Sequence, residues 1–255
     1  MTETALKHFS RAVAALWLYL APGLATVAPA AAQQFSAEQR QEIISILREA
    51  LRQDPSILRD ALEAMESAEQ ENREQATRAA LAAHAEALFR DPADPVRGNP
   101  QGSVTLVEFF DARCGYCKQL HPTLEQLIRR QPDLRVVMKD LPILGPNSVL
   151  ASRALLAAQR QGKYGPLQDA LLKLREEPTE PVLRREAERV GLDWARLRRD
   201  MDDPAVQRRL QANLALAQAL HIQGTPAIVV GEQVIPGAVD LGTLEALVAA
   251  ARPVR

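Results

Sequence analysis

Between residues 36 and 89 the apolar positions return with the period of a helix: Ile43, Leu47, Ala50 and Leu51 share one face. Asp54 and Pro55 interrupt the run and restart it, Asp54 suited to an N-cap and Pro55 to a first helical position. Leu58, Leu62 and Met65 then form a second stripe. The stretch that follows, ESAEQENREQATRAALAAHAEALF, favours helix by propensity but is polar and alanine-rich, with little bulk to bury. Stripes this thin need something to pack on, either the domain that follows or copies of the same segment. Residues 91–102, DPADPVRGNPQG, concentrate three prolines and two glycines and read as a linker at a domain boundary.

The pattern then changes period. SVTLVEFF is a β-rich run that leads straight into Cys114 and Cys117; residues 115–130 are helical, with Pro122 expected to kink them; LRVVMKDLP is a second strand. From Ser148 to about Ile222 the chain reads as helix throughout. Gly162 suits a C-terminal stop, Thr179 and Asp193 suit N-caps, and Asp203-Pro204 opens another helix. TPAIVVGEQVIPGA predicts two short strands around a turn at Gly231, and VDLGTLEALVAAAR a closing helix. Strand, helix, strand, a block of helices, a hairpin and a helix describe an α/β domain with a helical insertion.

Composition narrows the function classes. With 255 residues, 47% hydrophobic and 25% charged, the chain can bury an ordinary core. A formal net charge of −1 and 4% aromatic residues set nucleic acid aside as a partner. Residues 1–32 read as an export signal: Lys7 and Arg11, then the apolar AVAALWLYLAPGLATV broken by Pro22 and Gly23, then APAAAQ with Ala30 and Ala32 placed for cleavage. An uncleaved membrane anchor is the competing reading, against which the apolar run is short and interrupted. Cleavage near Ala32 implies a periplasmic protein beginning near Gln33.

In an oxidising compartment structural disulfides usually close long loops, and Cys114 and Cys117 would close almost nothing. A c-type haem site needs His directly after Cys117, where Lys118 stands; a zinc site needs about four ligands, and His121 alone is near. No metal is therefore assigned. A reactive pair remains. Cys114, where a strand gives way to a helix, would meet free N–H groups and the helix dipole, with Arg113, Lys118 and His121 adding positive potential. Cys117, one turn on, is placed to attack a mixed disulfide at Cys114.

VEFFDARCGYC resembles the active-site segment of the thioredoxin superfamily, and the helical insertion, about residues 147–222, resembles the DsbA family of exported thiol–disulfide oxidoreductases. That resemblance implies a thioredoxin fold over residues 103–255, preceded by the helical segment 33–90. It implies that Cys114 is the nucleophile and Cys117 the resolving cysteine, and that Gly115 and Tyr116 tune the potential. Glu108 falls where the family keeps a buried acid that relays the proton of the second cysteine, with Lys139 as its charge partner across the sheet. GTPAIVV resembles the family's substrate-binding loop, with Thr225 before a cis-Pro226 facing the dithiol. No cofactor is implied beyond a redox-active Cys114–Cys117 disulfide.

FSAEQRQEIISILREALRQDPSILRDALEAM and KDLPILGPNSVLASRALLAAQRQGKY resemble the ScsC group, DsbA-like proteins associated with copper tolerance. Members with such N-terminal segments oligomerise through them, which implies a homo-oligomer through residues 36–89. The Cys-Gly-Tyr-Cys and Thr-Pro pairing is also similar to the isomerase DsbC. The expectation is a disulfide isomerase or reductase acting on unfolded or misfolded exported proteins and served by a membrane redox partner. A DsbA-like oxidase, a copper-handling protein using the two thiols and a non-enzymatic holdase are the alternatives.

Overall fold

The computed structural model describes residues 35–252; the expected export signal and its cleavage site near Ala32 lie outside the described residues. The described residues fall into two units, divided between Ala64 and Met65.

In the first unit, α1 (Ala37–Gln53) is started by a capping box: Ser36 Oγ accepts from the Gln39 N–H, and Ser36 N–H donates to Gln39 Oε1. Asp54 accepts from the Ser56 N–H and starts α2 (Ser56–Ala83). None of the residues of α1 is buried, and Ile46 and Leu47 are more than half exposed.

The second unit holds one sheet in the order β1-β3-β2-β4-β5. Its strands are β1 (Val96–Gly98), β2 (Val104–Phe110), β3 (Leu134–Asp140), β4 (Ala227–Val230) and β5 (Gln233–Pro236). Strands β2 and β3 are parallel, joined through α3 (Gly115–Arg130), and the other pairings are antiparallel. Between β3 and β4 lies the helical insertion: α4 (Pro146–Gln159), α5 (Tyr164–Leu172), α6 (Glu180–Arg189), α7 (Trp194–Met201) and α8 (Pro204–Ala219). Helix α9 (Leu241–Ala250) closes the chain. Thr179, Asp193 and Asp203 stand at the N-caps of α6, α7 and α8, and α3 runs through Pro122 unbroken.

Both sheet faces are covered, so β2 and β3 read as nearly continuous apolar runs. Leu106, Phe110, Val136 and Met138 pack with α3, α4 and α5. Val107, Phe109 and Val137 pack with Leu81 of α2, Leu88 of a π-helical turn at Glu86–Arg90, and Leu216 of α8. A shift of one residue along a strand exchanges these two environments.

The expected linker at 91–102 is a correction. Val96 pairs with Val137, and the Met138 N–H donates to Pro95 O at 2.9 Å, so this stretch supplies an edge strand of the sheet. Gly98 has φ +71°, and a Cβ there would stand 2.5 Å from Leu134 O. Of the residues that suggest a flexible connection, Gly98 ends the edge strand where no Cβ fits, and Pro95 stands just before it, where a missing N–H is tolerated. The division between the units falls inside α2 instead.

Candidate active site

Strand β2 delivers the chain to a tight turn, Asp111 to Arg113, and Cys114 follows as the N-cap of α3. Asp111 is wholly buried and organises this turn. One carboxylate oxygen accepts from the Arg113 N–H at 2.8 Å and Ser148 Oγ at 2.9 Å; the other accepts from the Ile143 and Leu144 N–H groups at 3.0 and 3.1 Å. The carboxylate thus ties the cysteine turn to the loop after β3 and to the start of α4. Our reading of the sequence gave Asp111 no role. The signal available was an aspartate ending a strand and accepting from the N–H two residues on.

Cys114 is 7% exposed, and its Sγ donates to Thr225 O at 3.1 Å. The Thr225–Pro226 peptide is cis, so the loop expected opposite the dithiol is found there, 111 residues away in sequence. Tyr116 is 64% exposed, whereas a Cβ added at Gly115 would meet nothing within 4 Å. Both dipeptide positions face outward.

Cys117, one turn into α3, is fully buried, and both cysteines are free thiols. Burial, then the nearby Glu108 charge, push the Cys117 thiol well up, against a hydrogen bond from the Asp111 backbone. Glu108 stands opposite Met138 on one side and Ile228 on the other, both from the core that contains Cys117. Burial raises its carboxyl to about 8, with Arg97 opposing and Asp140 adding to the shift. It is therefore largely protonated at neutral pH.

Lys139 is not the partner of Glu108. It is in register with Phe109 and reaches the opposite face, where its ammonium pairs with Asp94 and donates to Ala87 O at 2.5 Å. Side-chain alternation decides this: Glu108 is in register with Met138, one position short of Lys139. The cation nearest in charge effect to Glu108 is Arg97 of β1, which the linker reading had hidden.

The three cations expected around Cys114 are each engaged elsewhere. Arg113 meets Glu177 at 2.6 Å and also donates to Leu144 O; Lys118 donates to Leu174 O at 2.8 Å; His121 Nε2 lies 3.3 Å from Asp169. They fasten α3 and its turn to the insertion. His121, Glu125 and Asp169 bring ligand atoms within 4.8 Å of one another, the arrangement a metal ion could use. The Arg97 guanidinium already bridges both carboxylates, at 2.6 Å to Glu125 and 2.5 Å to Asp169. Asp169 is held near 2: burial would raise it, but the His121 and Arg97 hydrogen bonds outweigh that. A further cation would have to displace Arg97.

Residues 105–249 match the family of DSBA-like thioredoxin domains. Among solved structures, a thioredoxin-like oxidoreductase from Silicibacter pomeroyi is 42% identical, covers 67% of this chain and 98% of its own, and superposes with a TM-score of 0.65. A linker-deleted variant of Proteus mirabilis ScsC is 30% identical and covers 88% of this chain and 98% of its own, with a TM-score of 0.63. The thiol:disulfide interchange protein DsbA of Bordetella parapertussis is 28% identical over 142 residues, 54% of this chain and 68% of the relative. The chain also matches a Na(+)/H(+) antiporter NhaA of Salinispora tropica, 32% identical over 166 residues, of whose length it spans only 26%. With its family match extending over most of the second unit, around a helix-capping C-x-x-C that faces a cis-proline, the chain belongs to the DSBA-like thioredoxin family.

Proposed function

We propose that this chain is an exported protein thiol–disulfide oxidoreductase working as an isomerase or reductase on misfolded or copper-oxidised proteins. The observation that carries the reading is the pairing of a nearly buried cysteine at the Thr225–Pro226 loop with a wholly buried one: Cys114 Sγ against Thr225 O, Cys117 within the charge influence of Glu108. As a thiolate, Cys114 attacks a client disulfide, forming a mixed disulfide and releasing the other client sulfur as a thiolate that takes up a proton. Thr225, released from Cys114, offers its backbone to the extended client chain, a contact that reads no side chain and suits many clients. A client thiol then attacks the mixed disulfide, which isomerises the client. Alternatively Cys117 attacks, which reduces the client and leaves a Cys114–Cys117 disulfide for a membrane partner to reduce. In that second path Cys117 gives its proton to Glu108 when the latter is ionised; in the reverse direction protonated Glu108 returns it.

The exposed apolar stripe of α1 and the start of α2, including Ile46, Leu47, Leu58 and Leu62, supports self-association through residues 36–89. Likeness to a periplasmic thioredoxin-like protein from Salmonella enterica and the expected export signal support the compartment. The test is reactivation of a scrambled-disulfide protein by the mature chain and by a Leu47→Asp, Leu58→Asp double variant, with mass measured by sedimentation. Reactivation by an oligomer and its loss in a monomeric variant are expected. Fast oxidation of a reduced client with no reactivation by either protein would replace this reading with the DsbA-like oxidase. Full activity of Cys114→Ser would leave only a holdase.

A further inference from the structure

The sheet carries more buried acid than dithiol chemistry has used so far. Phe110 of β2 is in register with Asp140 of β3, as Glu108 is with Met138, and Phe110 and Met138 both lie in the core that holds Cys117. Glu108 and Asp140 are therefore diagonal neighbours on one face of two parallel strands. Asp140 is wholly buried, and Tyr164, the first residue of α5, donates its hydroxyl to Asp140 Oδ2 at 2.8 Å. Asn213 of α8 holds the Asp140 backbone carbonyl at 3.0 Å. Oδ1 has no well-formed hydrogen bond among the described residues; the Ser152 hydroxyl stands nearest and lowers the Asp140 carboxyl without reaching full hydrogen-bond geometry. Asp111, buried nearby, shows what a carboxylate kept for architecture looks like here, with both oxygens bonded twice. A buried carboxylate left half satisfied is held at a cost, and it invites a reason.

We propose that Asp140 and Tyr164 are a positioning pair for the Cys117 half-reaction: Tyr164 makes Asp140 the first of the two buried acids to ionise, which leaves the proton on Glu108 for delivery to Cys117. The inference rests on Glu108 serving as the proton relay.

The charges around the pair agree in direction. Burial raises Asp140 to about 7, and the Tyr164 hydrogen bond, then Ser152, oppose that rise; burial raises Glu108 to about 8, with Arg97 opposing and Asp140 adding to it. Glu108 is faced by Arg97 from β1, Asp140 from β3, Cys117 from α3 and Tyr164 from α5. Asp140 is faced by Tyr164 and Ser152, and the charges of Asp111 after β2 and of Asp94 before β1 add to its rise; Asp94 itself pairs with neighbouring Lys139 on the other face. Two acids this close do not ionise independently, and the one with a hydroxyl donor gives up its proton first. Tyr164 cannot be that proton's destination, because burial and the Asp140 charge raise its own hydroxyl well above the ordinary range.

The experiment follows reduction of the Cys114–Cys117 disulfide of the full mature chain by glutathione across pH, each variant expressed as a ratio to the wild type. In this direction Cys117 leaves as a thiolate and takes the Glu108 proton. Asp140→Asn is expected to move the pH midpoint of the Glu108-dependent limb down by at least about half a unit. Tyr164→Phe, which keeps the ring and its packing, moves it the same way by less. In a Glu108→Gln background Asp140→Asn leaves the profile of that background unchanged. The proposal is overturned if Asp140→Asn and Tyr164→Phe keep the wild-type midpoint, or if Asp140→Asn acts equally in both backgrounds, as a merely structural residue would. A Glu108→Gln profile identical to wild type sinks the relay itself and this inference with it; absence of any reducible disulfide sinks the dithiol reading first.

Discussion

Lys139 and Glu108 stand one register step apart on adjacent strands and bury a basic and an acidic group on opposite faces of the sheet. On the Lys139 face the charge is answered: the ammonium is paired with Asp94 and capped by Ala87 O, while Arg209 adds a second contact to Asp94 at 3.1 Å. On the Glu108 face no hydrogen bond from a described residue holds the carboxylate, and its cationic neighbour Arg97 is engaged with Glu125 and Asp169. The first arrangement holds a pair in which burial still raises Asp94 and lowers Lys139, and their mutual hydrogen bond opposes both shifts. The second keeps an acid neutral and able to change state beside Cys117. One protein thus shows how the same burial serves architecture when it is compensated and chemistry when it is not.

Four experiments would break or sharpen that contrast. The largest effect is expected at the dithiol: Cys114→Ser abolishes turnover of a protein disulfide, while Cys117→Ser accumulates a client mixed disulfide visible by intact mass. Accumulation in Cys114→Ser instead would reverse the assignment of nucleophile and resolver. Next, Lys139→Met leaves Asp94 in the core with Arg209 as its remaining cation and lowers stability by up to roughly 3–5 kcal/mol, and adding Asp94→Leu recovers most of it. Denaturant titration reads both, and a harmless single variant would contradict the architectural role of this pair.

Glu108→Gln acts in the opposite sense. The folded value of about 8 lies above the ordinary 4.5, so the folded state holds a proton that the unfolded chain has lost. Stability supplied by the protonated acid is fully present below about 4.5 and is lost as pH rises through about 8. Glu108→Gln removes this decline and is more stable than the wild type at pH 8 and above by on the order of a few kcal/mol. Melting curves at pH 5 and pH 8.5 check the sign. Equal curves at both values would mean that Glu108 ionises freely in the fold.

The smallest effect lies away from both faces. His221, just past the C-cap of α8, has φ +55°, and the Ile222 N–H donates to Ala217 O at 2.8 Å in the turn that ends the helix. Glycine is the residue this position favours. His221→Gly is expected to stabilise the fold by about 0.5–1 kcal/mol, visible as a small rise in melting temperature. A loss of stability would show that the imidazole makes a contact worth more than the strain.

Much of this was legible along the chain because it is local. The order of strands and helices, the caps at Asp193 and Asp203, and the C-x-x-C at a helix start all follow from periodicity and short-range hydrogen bonding. Resemblance added the Thr225–Pro226 loop, which spacing alone could not have placed. The linker reading failed because an edge strand and a linker use the same residues: Pro95 and Gly98 mark either a free chain or a strand edge, and only the neighbour decides. Residues 65–89 were likewise ambiguous, since alanine-rich helix shows its partner only when Leu81 and Leu88 find the sheet.

The sequence by itself determined the helical periodicity, the caps and the C-x-x-C at a helix start, because each lies within one or two turns of chain, while the acid six residues before Cys114 was singled out only by family resemblance. Tertiary structure decided which acid meets which cation. A strand residue changes face with every step, so whether Lys139 answers Glu108 or Asp94 depends on the register of β3 against β2, fixed by packing on both sides. Asp140, Tyr164 and Arg97 reach the same buried space from β3, α5 and β1, and nothing in their spacing announces it. Burial then converts that meeting into chemistry, since an unpaired carboxylate in a dry core is stabilised chiefly by keeping its proton.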